Sequence, residues 1–114
     1  MPTMELIVPL TYGDTGEPVD AEAFMILEEK LMDYFGGYTS HSIEGGWRSP
    51  TGQRLRDESV RYVASSDQYD PETFEVYAHG IADAVKDYWR QQEVYYRVGK
   101  EEEIEKDEGN LYIG

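Results

Sequence analysis

Apolar residues recur along this chain at two spacings, and the order in which those spacings alternate constrains the fold more than any other feature. The stretch Met4-Glu5-Leu6-Ile7-Val8-Pro9-Leu10 is short and aliphatic, as a buried strand is. After loop chemistry at Tyr12-Gly13-Asp14-Thr15-Gly16-Glu17-Pro18, Asp20 is placed to cap a helix that ends near Tyr34. Phe24, Leu27, Leu31, Tyr34 and Phe35 share one face of that helix, with Glu22, Glu29 and Asp33 opposite and Ile26 among them. Gly36-Gly37 stops it. Residues 38–47 and 53–65 then read as two strands joined through Ser49-Pro50-Thr51-Gly52, a turn with Pro and Gly at usable places.

A second helix starts with Asp70 as cap, Pro71 in the first helical position and Glu72 at the positive helix end. It is expected to run to about Gln91 and to bury Phe74, Tyr77, Ala78, Ile81, Val85 and Tyr88, flanked by Ala82 and Trp89. Val94-Tyr95-Tyr96-Arg97-Val98 is a last strand. The resulting order, β-α-β-β-α-β, is that of the ferredoxin-like α+β fold, a four-stranded antiparallel sheet with two helices on one face. The expected domain covers residues 1–99, and residues 100–114 form an acidic tail whose Leu111-Tyr112-Ile113 either docks back or frays. Because Tyr38, Trp47, Tyr62, Tyr95 and Tyr96 offer more aromatic area than two helices cover, the open sheet face is expected to be semi-apolar and to pair in a homodimer.

A formal net charge of −14 on 114 residues narrows the partners. Residues 100–108 account for −4, so the acidity is general rather than confined to the tail. Direct binding to nucleic acid or to an anionic membrane is disfavoured. A solubilising surface, adaptation to salt, and mimicry of nucleic acid toward a basic partner all remain open. Without cysteine the chain has no thiolate chemistry or disulfide, and it holds no apolar run of the roughly 20 residues that cross a bilayer. The beginning, Met1-Pro2-Thr3-Met4-Glu5, lacks a basic region and apolar core, so a cytoplasmic protein is expected.

One segment runs against the overall charge. Arg48, Arg54, Arg56 and Arg61, four of the six arginines, lie within fourteen residues and leave that segment at +2. Beside Trp47, they form a candidate site for a small anion or a stacked nucleotide base, with pairing to the chain's own carboxylates as the competing reading. Gly45-Gly46 is expected to mark a bulge or a close backbone approach. His41 belongs to the second strand, where pairing brings it near Arg61 or Tyr62, and with Glu58 it is a candidate acid/base pair. His79 falls on the solvent side of the second helix. Asp14, Glu17 and Asp20 could ring a cation, although they lack the calcium-loop pattern. With no GxGxxG or Walker loop in the chain, neither a cofactor nor a metal is expected.

Phe35, Gly36, Gly37, Thr39, Gly46, Trp47, Gly52 and Glu58 follow a pattern of Phe-Gly-Gly-x-Thr, Gly-x-Trp, a turn Gly and a following Glu. Over residues 4–99 the chain thereby resembles small bacterial and archaeal ferredoxin-like proteins of uncharacterised function. The resemblance implies a fold and brings no catalytic residue. The leading expectation is thus a noncatalytic binding or regulatory module, acting through the open sheet face and the hairpin between Trp47 and Arg61, with a protein or a small anion as partner. Two alternatives stand beside it. One is a viral or mobile-element inhibitor whose acidic surface imitates nucleic acid, the other a cofactor-independent dimeric α+β barrel enzyme.

Overall fold

In the computed structural model, which describes residues 1–104, six elements follow one another as β1 (Pro2–Pro9), α1 (Ala21–Phe35), β2 (Thr39–Arg48), β3 (Arg54–Ser65), α2 (Pro71–Tyr88) and β4 (Tyr96–Lys100). The strands form one antiparallel sheet in the order β2-β3-β1-β4, with the helices packed on it. This is the ferredoxin-like α+β arrangement that the order of apolar spacings implies. No helix among the described residues is long and apolar enough to cross a membrane.

Alternation along β1 builds the core. Met4, Leu6 and Val8 point toward the helices and are fully buried. Leu6 lies across from Tyr62 on β3 and from Tyr96 on β4, so this row of side chains faces the helix layer. Leu27, Leu31 and Phe35 from α1 meet Phe74, Ala78, Ile81 and Val85 from α2 above it. The Phe35 and Phe74 rings are 4.7 Å apart between centroids.

Local chemistry sets the helix ends. The backbone N–H of Thr73 donates to the Asp70 carboxylate at 2.7 Å, and Pro71 needs no partner for a missing N–H. Asp20 sits at the cap of α1 but makes no side-chain bond there. At the far end of α1, Gly36 takes φ 86°, a left-handed conformation that costs a residue without Cβ little, and its N–H closes on the Met32 carbonyl. Gly13 is needed for a different reason. A Cβ there would collide with the Arg90 carbonyl oxygen, where the first loop is stapled to the end of α2. The Trp89 indole donates to Pro9 O and the Gln91 amide to Thr11 O in the same junction.

Several expectations need correction. Helix α2 ends at Tyr88 rather than near Gln91, Trp89 instead is buried, and Tyr88 is exposed. The chain turns at Arg90, which has φ 54°, before the apolar stripe is exhausted. The aromatic residues are divided: Tyr62 and Tyr96 lie under the helices and Tyr38 stacks edge-on against Tyr62 at 5.6 Å, whereas Trp47 and Tyr95 are exposed. Residues 45 and 46 continue one-to-one pairing with Asp57 and Arg56, so no bulge forms, and nothing approaches Gly45 closely. Lys100 belongs to β4, and a helical turn over residues 101–104 returns to the sheet with Ile104 buried over Gly99. Leu111, Tyr112 and Ile113 lie outside the described residues.

Phe74→Ala should lower the stability by about 3–5 kcal/mol in urea denaturation, because the ring fills space shared by both helices. The Asp70 carboxyl is held below the ordinary carboxylate range, chiefly by the backbone bond from Thr73. A depressed folded-state value means that its contribution is present above the unfolded value and is lost as pH falls through the folded one. Asp70→Asn keeps a capping oxygen that does not titrate. Thermal melts of this variant are expected to lose less stability than wild type as pH drops below about 4.

Candidate functional site

The sheet face away from the helices carries a charge cluster. Glu5 stands on the central strand, with Arg97 directly opposite on β4 and Arg61 diagonally across on β3. Arg61 Nε donates to one carboxylate oxygen of Glu5 at 2.5 Å, and Arg97 Nε to the other at 3.0 Å. Glu5 and Arg61 are each only 7% exposed. With both oxygens engaged by guanidiniums, Glu5 serves as a structural partner for the two arginines. His41 lies opposite Arg61, as strand pairing led us to expect.

A second polar cluster ties α1 to the sheet. Tyr62 donates its phenol to Glu28 at 2.7 Å. Burial, then the bond to Glu28, pushes the Tyr62 phenol far above its ordinary range, and the same two causes raise Tyr38. Tyr62 thus stays protonated and donating. It is an anchor rather than a base.

The cavity with functional chemistry lies at the end of the β2–β3 hairpin. Strand β1 pairs with β3 only over residues 59–65, whereas β2 pairs with β3 down to Arg48 and Arg54. Residues 44–48 and 54–58 therefore run past β1 as a two-stranded ribbon. A turn closes it, in which Gly52 has φ 87° and Ser49 accepts from Gln53 N. An open cleft of about 830 Å³ is lined by Glu44, Trp47, Arg48, Arg54, Leu55 and Arg56, around the bare backbone of Gly45 and Gly46. The absence of side chains at both glycines leaves the hollow.

Strand alternation sorts the expected site residues. Arg48 pairs with Arg54, and Gly46 with Arg56, so the three guanidiniums rise from one pleat of the ribbon. Trp47 pairs with Leu55 on the other pleat, 50% exposed at the margin of the same cleft. Arg56 makes a loose, exposed ion pair with Glu44 at 3.6 Å, and among the described residues Arg48 reaches only the Gly52 carbonyl at 3.4 Å. Arg54 has no ion pair among the described residues. Glu58 pairs with Glu44 and lies an odd number of positions from Arg61, the partner of His41. Glu58 and His41 therefore emerge on opposite faces, and the expected acid/base pair does not form.

Other candidates take structural roles. Asp14 binds Arg90 at 2.8 Å, and Arg90 in turn stacks over Tyr12. Among the described residues, no cluster of three potential metal ligands exists, in the first loop or elsewhere. His79 is exposed as expected, yet it contacts Asp83 at 3.2 Å and the Tyr96 hydroxyl at 2.7 Å. Sequence reasoning missed the Glu5 cluster and the Glu28–Tyr62 bond. A lone acid alternating with buried aliphatics in Met4-Glu5-Leu6 was the available signal for the first.

No family model and no curated protein matches the chain. Its fold is similar to a phage SAM lyase solved in complex with S-methyl-5'-thioadenosine, with a TM-score of 0.66 and 14% identity over 87% of this chain and 80% of that one. It is equally similar to a phage SAM lyase in the apo state, with a TM-score of 0.66 and 16% identity over 86% of this chain and 78% of that one. The expectation of a noncatalytic module is corrected by this finding, since both of these structures are of a lyase.

Glu5→Gln is expected to destabilise the protein by about 3–5 kcal/mol in chemical denaturation, because it removes the carboxylate shared by two arginines, one of them buried. Arg97→Met, at the more exposed end of the cluster, should cost less than half as much.

Proposed function

We propose that the chain is an enzyme that cleaves a sulfonium nucleoside of the S-adenosylmethionine type, and that the ribbon cleft holds the substrate. The observation that carries this reading is the lining of the cleft, where three guanidiniums and one carboxylate border a hollow with one exposed indole at its margin. The likeness in fold to a phage SAM lyase supports it.

Each group has a counterpart in such a substrate. The adenine presents a π face suited to the exposed indole of Trp47. The amino-acid carboxylate suits Arg48 and Arg54, which stand opposite each other across the strands. The sulfonium and ammonium charges outweigh that carboxylate, so the substrate is a net cation. A protein at −14 attracts it from a distance.

The reaction asks little of acid/base residues. When the carbon–sulfur bond breaks, its electron pair stays on sulfur, and a neutral thioether leaves without being protonated. The remaining carbon is satisfied when the substrate's own carboxylate closes on it, or when a neighbouring carbon loses a proton to water. Positioning the carboxylate is then the main task, and a held conformer supplies much of the rate. A cleft that contains arginines and an indole, with His41 and Glu58 on opposite faces, fits that economy.

Incubation of the purified protein with S-adenosylmethionine should release S-methyl-5'-thioadenosine in proportion to time and protein, as followed by chromatography. Arg48→Ala with Arg54→Ala, and separately Trp47→Ala, should lower kcat/KM by about tenfold or more, the size of a charge-assisted contact, with melting temperature unchanged. Absence of both turnover and a thermal shift with substrate and product would end this reading. Turnover that survives the substitutions would move the site away from the ribbon.

A further inference from the structure

The outer surfaces of α1 and α2 do not close on each other. Between them runs an apolar groove of about 610 Å³. Ile26 and Tyr34 stand on one wall, Val76, Ala84 and Tyr88 on the other, and Gly80 opens the space between them. Three of the largest exposed apolar side chains of the described residues, Ile26 at 50%, Val76 at 68% and Tyr88 at 54%, belong to this one feature. Isolated exposed hydrophobic residues need no explanation, but a contiguous patch does. Ile26 to Tyr34 spans about 12 Å of helix and Val76 to Tyr88 about 18 Å, the length of roughly three turns of one further helix.

The rim gives the occupant its chemistry. Glu22, Glu29 and Asp33 stand at i−4, i+3 and i+7 from Ile26, and Glu72, Asp83 and Asp87 at i−4, i+7 and i+11 from Val76. All six are exposed, and of these Asp83 is engaged by His79. Lys30 is the single cation among the lining residues. An apolar trough between two acidic rims is the complement of a helix with an apolar stripe flanked by lysine and arginine. A second copy of this chain fits poorly, since pairing would bring acidic rims together on two molecules of −14 each.

We propose that this groove is the docking surface for a basic amphipathic helix of a second protein. Gly80 provides the means to test it. A Cβ built there meets nothing within 4 Å and φ is not positive, so the fold accepts a side chain that would fill the groove. Gly80→Arg adds both bulk and a repelling charge at the centre, while Gly80→Ala adds one methyl and favours the helix.

The probe is a labelled peptide of about 16 residues with leucines at i, i+3, i+4 and i+7 and lysines and arginines flanking them. An acidic twin has the same leucines and glutamates in place of the basic residues. Fluorescence anisotropy with the full chain should show saturable binding of the basic peptide that weakens as salt rises, and no binding of the twin. Gly80→Ala should bind as wild type does, and Gly80→Arg about tenfold or more weakly. Asp33→Lys with Asp87→Lys, both exposed, tests the rim separately and should also weaken binding, with circular dichroism confirming the fold of each variant. Equal binding of the acidic twin, binding that both variants leave unchanged, or no saturable binding would overturn the proposal. So would sedimentation that shows self-association abolished by Gly80→Arg, since a second copy would then be the occupant.

Discussion

A carboxylate and a guanidinium withdrawn from water on the central strand set the terms for the rest of this structure. Removing an ion from water costs several kcal/mol unless partners replace its hydration. Glu5 meets that condition only because β1 lies between β3 and β4, in a register that delivers Arg61 from one side and Arg97 from the other. A slip of one residue in β1 would turn Glu5 into the helix core and Leu6 out of it. The same alternation that buries Met4, Leu6 and Val8 therefore locates the charge cluster, and the cluster disfavours other registers. Strand order, register and core composition are one solution to one constraint.

What could be read in advance follows from the range of each interaction. The element order and the caps depend on residues within a few positions of one another, so Asp70-Pro71 and Gly36 were legible. Assignment of side chains to faces depends on partners far away in the chain. Arg61 and Arg97 are 56 and 92 residues from Glu5, and no local pattern announces such pairs. For the same reason Tyr38, Tyr62 and Tyr96 were placed on the wrong face, although Tyr95 was not. Tyr62 looked surplus to the helices until Glu28 supplied its hydroxyl with an acceptor beneath α1. The arginine-rich hairpin was visible as a local charge anomaly, while the pleat that separates Trp47 from Arg48 and Arg54 is a property of the pairing itself.

The ribbon illustrates how a candidate site departs from the core. A two-stranded segment beyond the edge of β1 gains little from packing and is marginal by itself. Residues 44–48 are all exposed, and nothing about stability calls for an indole or three arginines there. The chain nevertheless concentrates its rare cations on this arm. Folding accounts well for Arg61, which is buried against Glu5, and poorly for Arg48 and Arg54, which among the described residues reach at most a carbonyl. That contrast separates scaffold from candidate site among residues of one type.

Charge is divided between the two ends of the design. The helices carry eight acids and two lysines, while the ribbon holds three of the six arginines. In a protein of −14 the tip of the ribbon, residues 48–56, holds three arginines and no acid, a local positive region within a negative field. A small molecule with both signs, net positive overall and anionic at one end, is drawn by the whole and oriented by the part. A basic helix meets the opposite arrangement on the helix layer, where the acids flank an apolar floor. Screening at physiological salt limits each surface to its own neighbourhood, within about 8 Å. The helix layer and the ribbon can therefore serve different ligands on one small sheet, since the core that joins them is neutral on the helix side and internally paired at Glu5 on the other.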